Sequence, residues 1–98
     1  MILHPDVQAL LDAMRALETH LQDKSDFWSA NIQRAADEVA RSDAHGLQRF
    51  LGCFGGMGSL NDLVLHKNGV PLDRENDQLE RLRERAWTLA ERLRHENS

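Results

Sequence analysis

The sequence predicts an all-α domain, a compact bundle of four main helices. Fifteen of the 98 residues are leucine and ten are alanine, whereas valine and isoleucine together supply six and tyrosine is absent. Unbranched side chains keep their rotamer freedom on a helix, and β-branched side chains fit a pleated surface better. Two stretches with apolar residues three and four positions apart indicate the same class. The length suits a single domain, residues 1–98, with one core.

The first two helices are predicted from apolar periodicity and from their ends. The first covers residues 5 to about 23, and Pro5 suits its first position because the missing N–H needs no partner there. The second covers residues 27 to about 41 and is capped by Ser25 or Asp26. The apolar stripe of the first helix consists of Val7, Leu10, Leu11, Met14, Leu17 and Leu21.

A shorter third helix is predicted over residues 45–54. Ser42 or Asp43 offers its N-terminal cap, and Gly46 weakens its first turn because glycine is a poor helix former. Gly55 and Gly56 supply a left-handed stop.

The last helix is predicted from Asp73, its cap, to about residue 95. Its stripe matches that of the first helix, so we expect the two to pack side by side, within one chain or across a dimer. Charges of both signs fill its remaining surface, which is typical of a solvated or partner-facing helix. The stripe consists of Leu79, Leu82, Ala86, Leu89 and Leu93.

The segment between the third and last helices is predicted as a short helix or an extended piece. Ser59 and Asp62 fit the ends of a capping box, which favours a helix of about two turns. A short strand over residues 63–65 is the alternative, because that apolar run is too brief for periodicity to decide. Asn68 and Gly69 then predict a turn.

Composition alone does not explain the Gly-rich loop, residues 54–62, which holds three glycines within four residues. One glycine ends a helix, and glycines beyond that permit positive φ or close approach of another group. One interpretation is a tight corner with Ser59 as a cap. The other is a binding site for a partner or an anion, because a Gly-rich turn before a helix presents free N–H groups. The candidate binding residues are Gly56, Met57, Gly58, Ser59, Asn61 and Asp62.

The run from Gly55 to Leu65 resembles a family of small bacterial domains of unknown function. The recurring pattern of that family is Gly-Gly-Met-Gly-Ser, a Phe or Leu, and then Asn-Asp. The resemblance covers residues 27 to 94, with Trp28 before the loop and the charged helix after it. It implies a bacterial cytoplasmic origin and marks the six candidate binding residues as defining the group. It implies no activity, cofactor or catalytic residue.

Charge and apolar patterning exclude several classes of function. The net charge of −4 and the pI of about 5.7 disfavour nucleic-acid binding, which needs a clustered basic face. The sequence has no apolar run long enough to span a membrane, and we expect no secretory signal. Cys53 is the single cysteine, which suits a reducing compartment. We therefore expect a cytoplasmic protein.

We expect neither an enzyme nor a metal or cofactor protein. The five histidines are scattered without the close pairs typical of metal sites. Cys53 has no histidine at a spacing known for nucleophiles, so it is interpreted as a small hydrophobe. His66 would have to fold back to join Ser59 and Asp62 in a polar catalytic group.

The leading hypothesis is a cytoplasmic protein-interaction module. Its small size and acidic charge suit an immunity or antitoxin-like inhibitor of a basic bacterial toxin or effector, because opposite fields speed association. The alternative is a small-ligand or anion sensor that uses the Gly-rich loop. We also expect a homodimer, because surplus apolar stripes can pair between copies.

Overall fold

Four α-helices dominate the structure, a computed structural model that describes residues 4–55 and 58–96. The all-α prediction and the four main helices are confirmed. The connection between α3 and α4 holds a 3₁₀ turn and a two-stranded antiparallel hairpin, in which His66 pairs with Pro71. The elements in chain order are α1 (Pro5–Leu21), α2 (Asp26–Ala40), α3 (Ala44–Leu51), the 3₁₀ turn (Leu60–Asp62), β1 (His66–Lys67), β2 (Val70–Pro71) and α4 (Asp73–Glu96).

Side-chain caps begin the first three helices. Ser25 Oγ accepts the N–H of Trp28 at 3.4 Å, and Asp43 Oδ1 accepts the N–H of His45 at 2.9 Å. Each resolves a choice between two predicted caps. The cap of α1 was not predicted: His4 Nδ1 accepts a backbone N–H two residues later, at 3.1 Å. A histidine ring in this role lies outside the usual set of capping residues.

The core lies where α1 packs against α2 and α4, and α3 covers α2. The predicted stripes of α1 and α4 face this core from two sides, so the expected side-by-side packing occurs within one chain. Removing these side chains from water is the main favourable contribution to folding. The largest fully buried side chains are Phe50, Leu10, Met14, Leu17, Leu21, Ile32, Leu60 and Leu79.

Both apolar stripes are buried within one chain, which removes the original argument for a homodimer. Met14 in α1 and Leu79 in α4 are each at most 1% exposed, so these positions are not surplus apolar surface. The homodimer stays a prediction, but the argument from unpaired stripes no longer supports it. Sedimentation of an 11.2 kDa species at a concentration of tens of micromolar would contradict the dimer.

Gly46 allows α3 to lie close against α2. A Cβ atom at this position would come within 2.6 Å of Val39 N and 2.9 Å of Ala35 O, which are backbone atoms. The first turn of α3, which Gly46 was expected to weaken, is regular α-helix from Ala44 onward. The close packing of the two helices offsets the low helix propensity of glycine.

Ion pairs reinforce the contacts of α2 with its neighbours. Arg15 of α1 donates to Glu18 at 2.9 Å and to Asp37 of α2 at 2.8 Å. These bonds, that to Asp37 foremost, raise the pKa of the Arg15 guanidinium. Arg49 of α3 donates to Glu38, whose side chain is only 11% exposed. Such a carboxylate needs a partner, since a buried charge without one is costly.

None of the helices within the described residues has the combination of length and apolar content that a membrane crossing requires.

Candidate functional site

A backbone hydrogen bond closes the Gly-rich loop. The N–H of Leu60 donates to the carbonyl of Cys53 at 2.8 Å, and the Leu60 side chain is fully buried. The predicted end of α3 at Phe54 is wrong, because the helix ends at Leu51 and the next residues turn toward this closure. Gly55 has a φ of 112°, so it does supply the predicted positive φ, but it lies beyond the end of the helix.

A two-turn helix after the loop, the favoured prediction, is not formed. A single 3₁₀ turn covers Leu60–Asp62, and the chain is then extended as far as the hairpin. Side chains of α4 hold this backbone: Arg83 Nη1 donates to the carbonyl of Leu60 at 2.9 Å and to that of Leu63 at 3.4 Å. The bonds from α4 replace those that a second helical turn would make. The alternative, a strand over residues 63–65, is not formed either, because the first strand begins at His66.

The predicted capping box is displaced by one residue. Asp62 reaches back, but its Oδ2 accepts the N–H of Gly58 at 2.9 Å and not that of Ser59. Ser59 Oγ is buried and has no hydrogen-bond partner within the described part of the chain. It does not cap the 3₁₀ turn, so its predicted capping role is wrong. Gly58 adopts a φ of 79°, which lets its N–H face the carboxylate.

The structure brings together some of the predicted binding residues. Gly58, Asn61 and Asp62 are exposed, and Ser59 is half-buried between Gly58 and the core residue Leu60. The predictions for Gly56 and Met57 fall outside the described residues.

Asn61 lines a shallow groove between the 3₁₀ turn and α4. The groove has a volume of about 420 Å³. Trp87 of α4 is 41% exposed, and Phe54 stacks edge-on against the buried Phe50 with ring centres 5.2 Å apart. Exposed aromatic rings beside polar groups are typical of protein contact surfaces. The residues that line the groove are Phe54, Asn61, Glu80, Arg83, Glu84 and Trp87.

The contribution of α4 to the groove was missed in the sequence. Trp87 lies three residues after Glu84 and seven after Glu80, so the helical period places all three on one side of α4. This side is next to the predicted apolar stripe, not within it. A tryptophan outside the apolar stripe of an otherwise charged helix was the available signal.

The chain matches a family with no assigned activity. Residues 21–73, just over half of the chain, match the family described as Domain of unknown function (DUF6966). The chain belongs to this family. No curated protein and no solved structure matches it.

The DUF6966 match covers α2, α3, the Gly-rich loop and the hairpin, and it ends where α4 begins. The expected membership of a family of unknown function is therefore confirmed. The bacterial origin and the defining role of the Gly-Gly-Met-Gly-Ser pattern stay predictions. Phe54 and Asn61 come from the matched region, and Trp87 comes from outside it.

Charges on the exposed side of α4 form two parallel lines of opposite sign that run along the helix. Positions three, four or seven apart share one line of a helix, so acidic residues follow one line and arginines follow another. The acidic line borders the groove. The acidic line contains Asp77, Glu80, Glu84 and Glu91, and the other line contains Arg74, Arg81, Arg85 and Arg92.

The remaining chemical groups are engaged locally. The ring of His66 bonds the carbonyl of Val64 at 2.9 Å, and it is not hydrogen-bonded to Ser59 or Asp62. The thiol of Cys53 donates to the carbonyl of Arg49 at 3.4 Å, and burial raises its pKa against the opposing charge of Arg49. In the ranges 4–55 and 58–96, no three histidine, cysteine or acidic residues are grouped so that they could hold a metal ion.

A separate apolar cavity of about 190 Å³ lies among the four helices. Val7, Val39, Leu47 and Leu93 contribute to its walls, and none of the predicted binding residues does. The candidate functional site is therefore the groove, where Asn61 lies near an exposed tryptophan.

Proposed function

We propose that the protein is an interaction module that binds another protein through the groove between the 3₁₀ turn and α4. The observation that carries this proposal is the exposure of Trp87 in the same groove as Asn61. Tryptophan is strongly enriched among the residues that dominate binding energy at protein interfaces. The Asn61 amide adds both donors and acceptors, and its side chain makes no hydrogen bond within the described residues.

We further propose that the partner is a basic bacterial toxin or effector and that this protein inhibits it, as immunity proteins and antitoxins do. Two features support this finer proposal. The chain carries a net charge of −4, and Glu80 and Glu84 place negative charge at the groove itself. Complementary fields accelerate association and disfavour wrong partners.

The alternative, a small-ligand or anion sensor in the Gly-rich loop, has less support. The N–H of Gly58, which would hold an anion, already donates to the carboxylate of Asp62. An incoming phosphate or carboxylate would have to displace this internal anion and approach the negative charge of Glu80 and Glu84.

Affinity capture with matched variants tests the proposed function. Tagged wild-type protein, Trp87→Ala, Asn61→Ala and a control, Phe27→Ala, are used to capture partners from the native host. Phe27 is 68% exposed and lies outside the groove, so its removal matches the loss of an exposed aromatic side chain. A protein captured by wild type is then purified, and its affinity for all four forms is measured by calorimetry.

We expect Trp87→Ala to weaken binding at least about tenfold, Asn61→Ala about fivefold and Phe27→Ala less than twofold. Equal affinity for all four forms would place the contact elsewhere. If no partner is captured, and inorganic phosphate raises the melting temperature of wild type but not of Gly58→Val, the anion sensor replaces the interaction module.

A further inference from the structure

We propose that the groove receives a cationic side chain, an arginine from a basic segment of the partner. This inference rests on the proposed function, because it takes the groove as the contact surface and names the chemistry that the groove selects. Three features of the groove support it independently: unpaired carboxylates, an exposed indole and a free amide.

Two carboxylates of the groove form no ion pair within the described residues. Glu80 and Glu84 are one helical turn apart, both are exposed, and neither forms an ion pair with any residue that the structure describes. Like charges four residues apart on a helix repel each other. A cation placed between the two carboxylates would relieve this repulsion and gain two charge-assisted hydrogen bonds.

The arginine already in the groove points elsewhere. Arg83 is three residues from Glu80, but its Nη1 donates to the carbonyls of Leu60 and Leu63. Because these carbonyls hold the 3₁₀ turn on α4, turning the guanidinium toward Glu80 would break contacts to the loop. The carboxylates therefore remain available to a cation from outside.

The aromatic part of the groove suits the same ligand. A guanidinium stacks on an indole face while its edge still donates to carboxylates, and its apolar stem covers neighbouring apolar surface. Trp87 offers such a face on the side of α4 that carries both glutamates, and Phe54 adds apolar surface. The amide oxygen of Asn61 provides a further acceptor. An anionic or purely apolar ligand would leave the carboxylates uncompensated.

Proton NMR of the Trp87 indole N–H tests the proposal directly on the full chain. The probe is the capped tripeptide acetyl-Gly-Arg-Gly-amide, compared with the same peptide carrying lysine, glutamine or glutamate in the middle. Trp87→Phe assigns the resonance, since Trp28 is the other tryptophan. We expect saturable shifts with the arginine peptide, weaker binding of the lysine peptide and no saturation with the other two.

Matched variants separate the groove from the overall charge. The double variant Glu80→Gln, Glu84→Gln should weaken arginine-peptide binding at least about fivefold. The control, Glu96→Gln with Asp23→Asn, removes the same charge from exposed positions outside the groove and should change the affinity less than about twofold. If the glutamine variant fails to fold, added sodium chloride with wild type is the second measurement, and it must weaken binding.

The proposal is overturned if the arginine and glutamate peptides shift the indole equally, if neither shifts it, or if the glutamine variant binds as wild type does. The results that would contradict this inference differ from those that would contradict the proposed function. A partner whose binding is lost in Trp87→Ala but unchanged in the glutamine variant removes this inference alone. Selective arginine binding without any protein partner removes the proposed function alone.

Discussion

The side chain of Asn76 pairs with the backbone of Leu65 as a neighbouring β-strand would. Asn76 Oδ1 accepts the N–H of Leu65 at 2.7 Å, and its Nδ2 donates to the carbonyl of Leu65 at 3.0 Å. Leu65 is 3% exposed, so its backbone needs partners other than water. The amide thus attaches the segment after the Gly-rich loop to the first turns of α4.

Asn76→Ala should destabilise the protein by about 1–3 kcal/mol, because it leaves the buried N–H of Leu65 without an acceptor. The carbonyl of Leu65 keeps a second donor, the N–H of Leu72, so the amide donor contributes less than the acceptor. Urea unfolding followed by circular dichroism measures the change. Asn31→Ala is the control, since its amide bonds only the exposed carbonyl of Phe27, and it should cost less than about 0.5 kcal/mol. Equal losses in both variants would show that the pairing with Leu65 contributes no stability.

Gly46→Ala should destabilise the protein by about 1–3 kcal/mol despite the better helix propensity of alanine. The new Cβ would lie 2.6 Å from Val39 N, so α3 would have to move away from α2. The same substitution at Gly52 is the control. There the Cβ would be 3.3 Å from the nearest atom, the carbonyl oxygen of Gln48, and φ is −67°, so a change within about 1 kcal/mol is expected. Thermal unfolding of both variants provides the comparison, and a stabilised Gly46→Ala would contradict the close packing.

Asn61→Ala and Asp62→Ala should have different consequences. Asp62 accepts the N–H of Gly58, so its loss should cost about 0.5–1 kcal/mol, since the bond is exposed. Asn61 makes no hydrogen bond with its side chain in the described structure, so its loss should leave stability unchanged and weaken partner binding. Urea unfolding and calorimetric binding of the same samples separate the effects. Equal destabilisation with binding unaffected would show that the loop is only a corner.

Asp43 should make the stability of α3 depend on acid pH. The pKa of Asp43 is lowered from 3.8, first because its carboxylate accepts the backbone N–H of His45 and then because it bonds the ring of His45. A lowered folded-state pKa stabilises the protein above the unfolded-state pKa, and this contribution is lost as the pH falls through the folded-state value. Asp43→Asn should therefore be less stable than wild type near neutrality.

The measurement is the urea midpoint of wild type and Asp43→Asn at several pH values. The difference between the two should shrink as the pH falls below about 4. A gap between wild type and Asp43→Asn that stays constant down to about pH 2 would contradict the role of the ionised cap.

The four helices could be predicted because their signals are local. An apolar stripe such as Leu10, Met14, Leu17 and Leu21 repeats at the helical period, and Ser25 and Asp43 bond N–H groups within three residues. The positive φ at Gly55 and at Gly58 is equally a property of nearby backbone. The sequence by itself therefore determined the fold class, the order of the four helices and the unusual character of the loop.

Tertiary contacts decided the rest, because they join residues far apart in the chain. The predicted two-turn helix is replaced by an extended segment since Arg83 and Asn76 of α4 bond its backbone, twenty and eleven residues away from Leu63 and Leu65. The same packing places Asn61 in a groove with Trp87, which no local pattern connects. Periodicity records which face of a helix is buried, but it does not record which distant segment lies against its edge. The candidate site depends on which distant segment lies against α4, so only the tertiary structure revealed it.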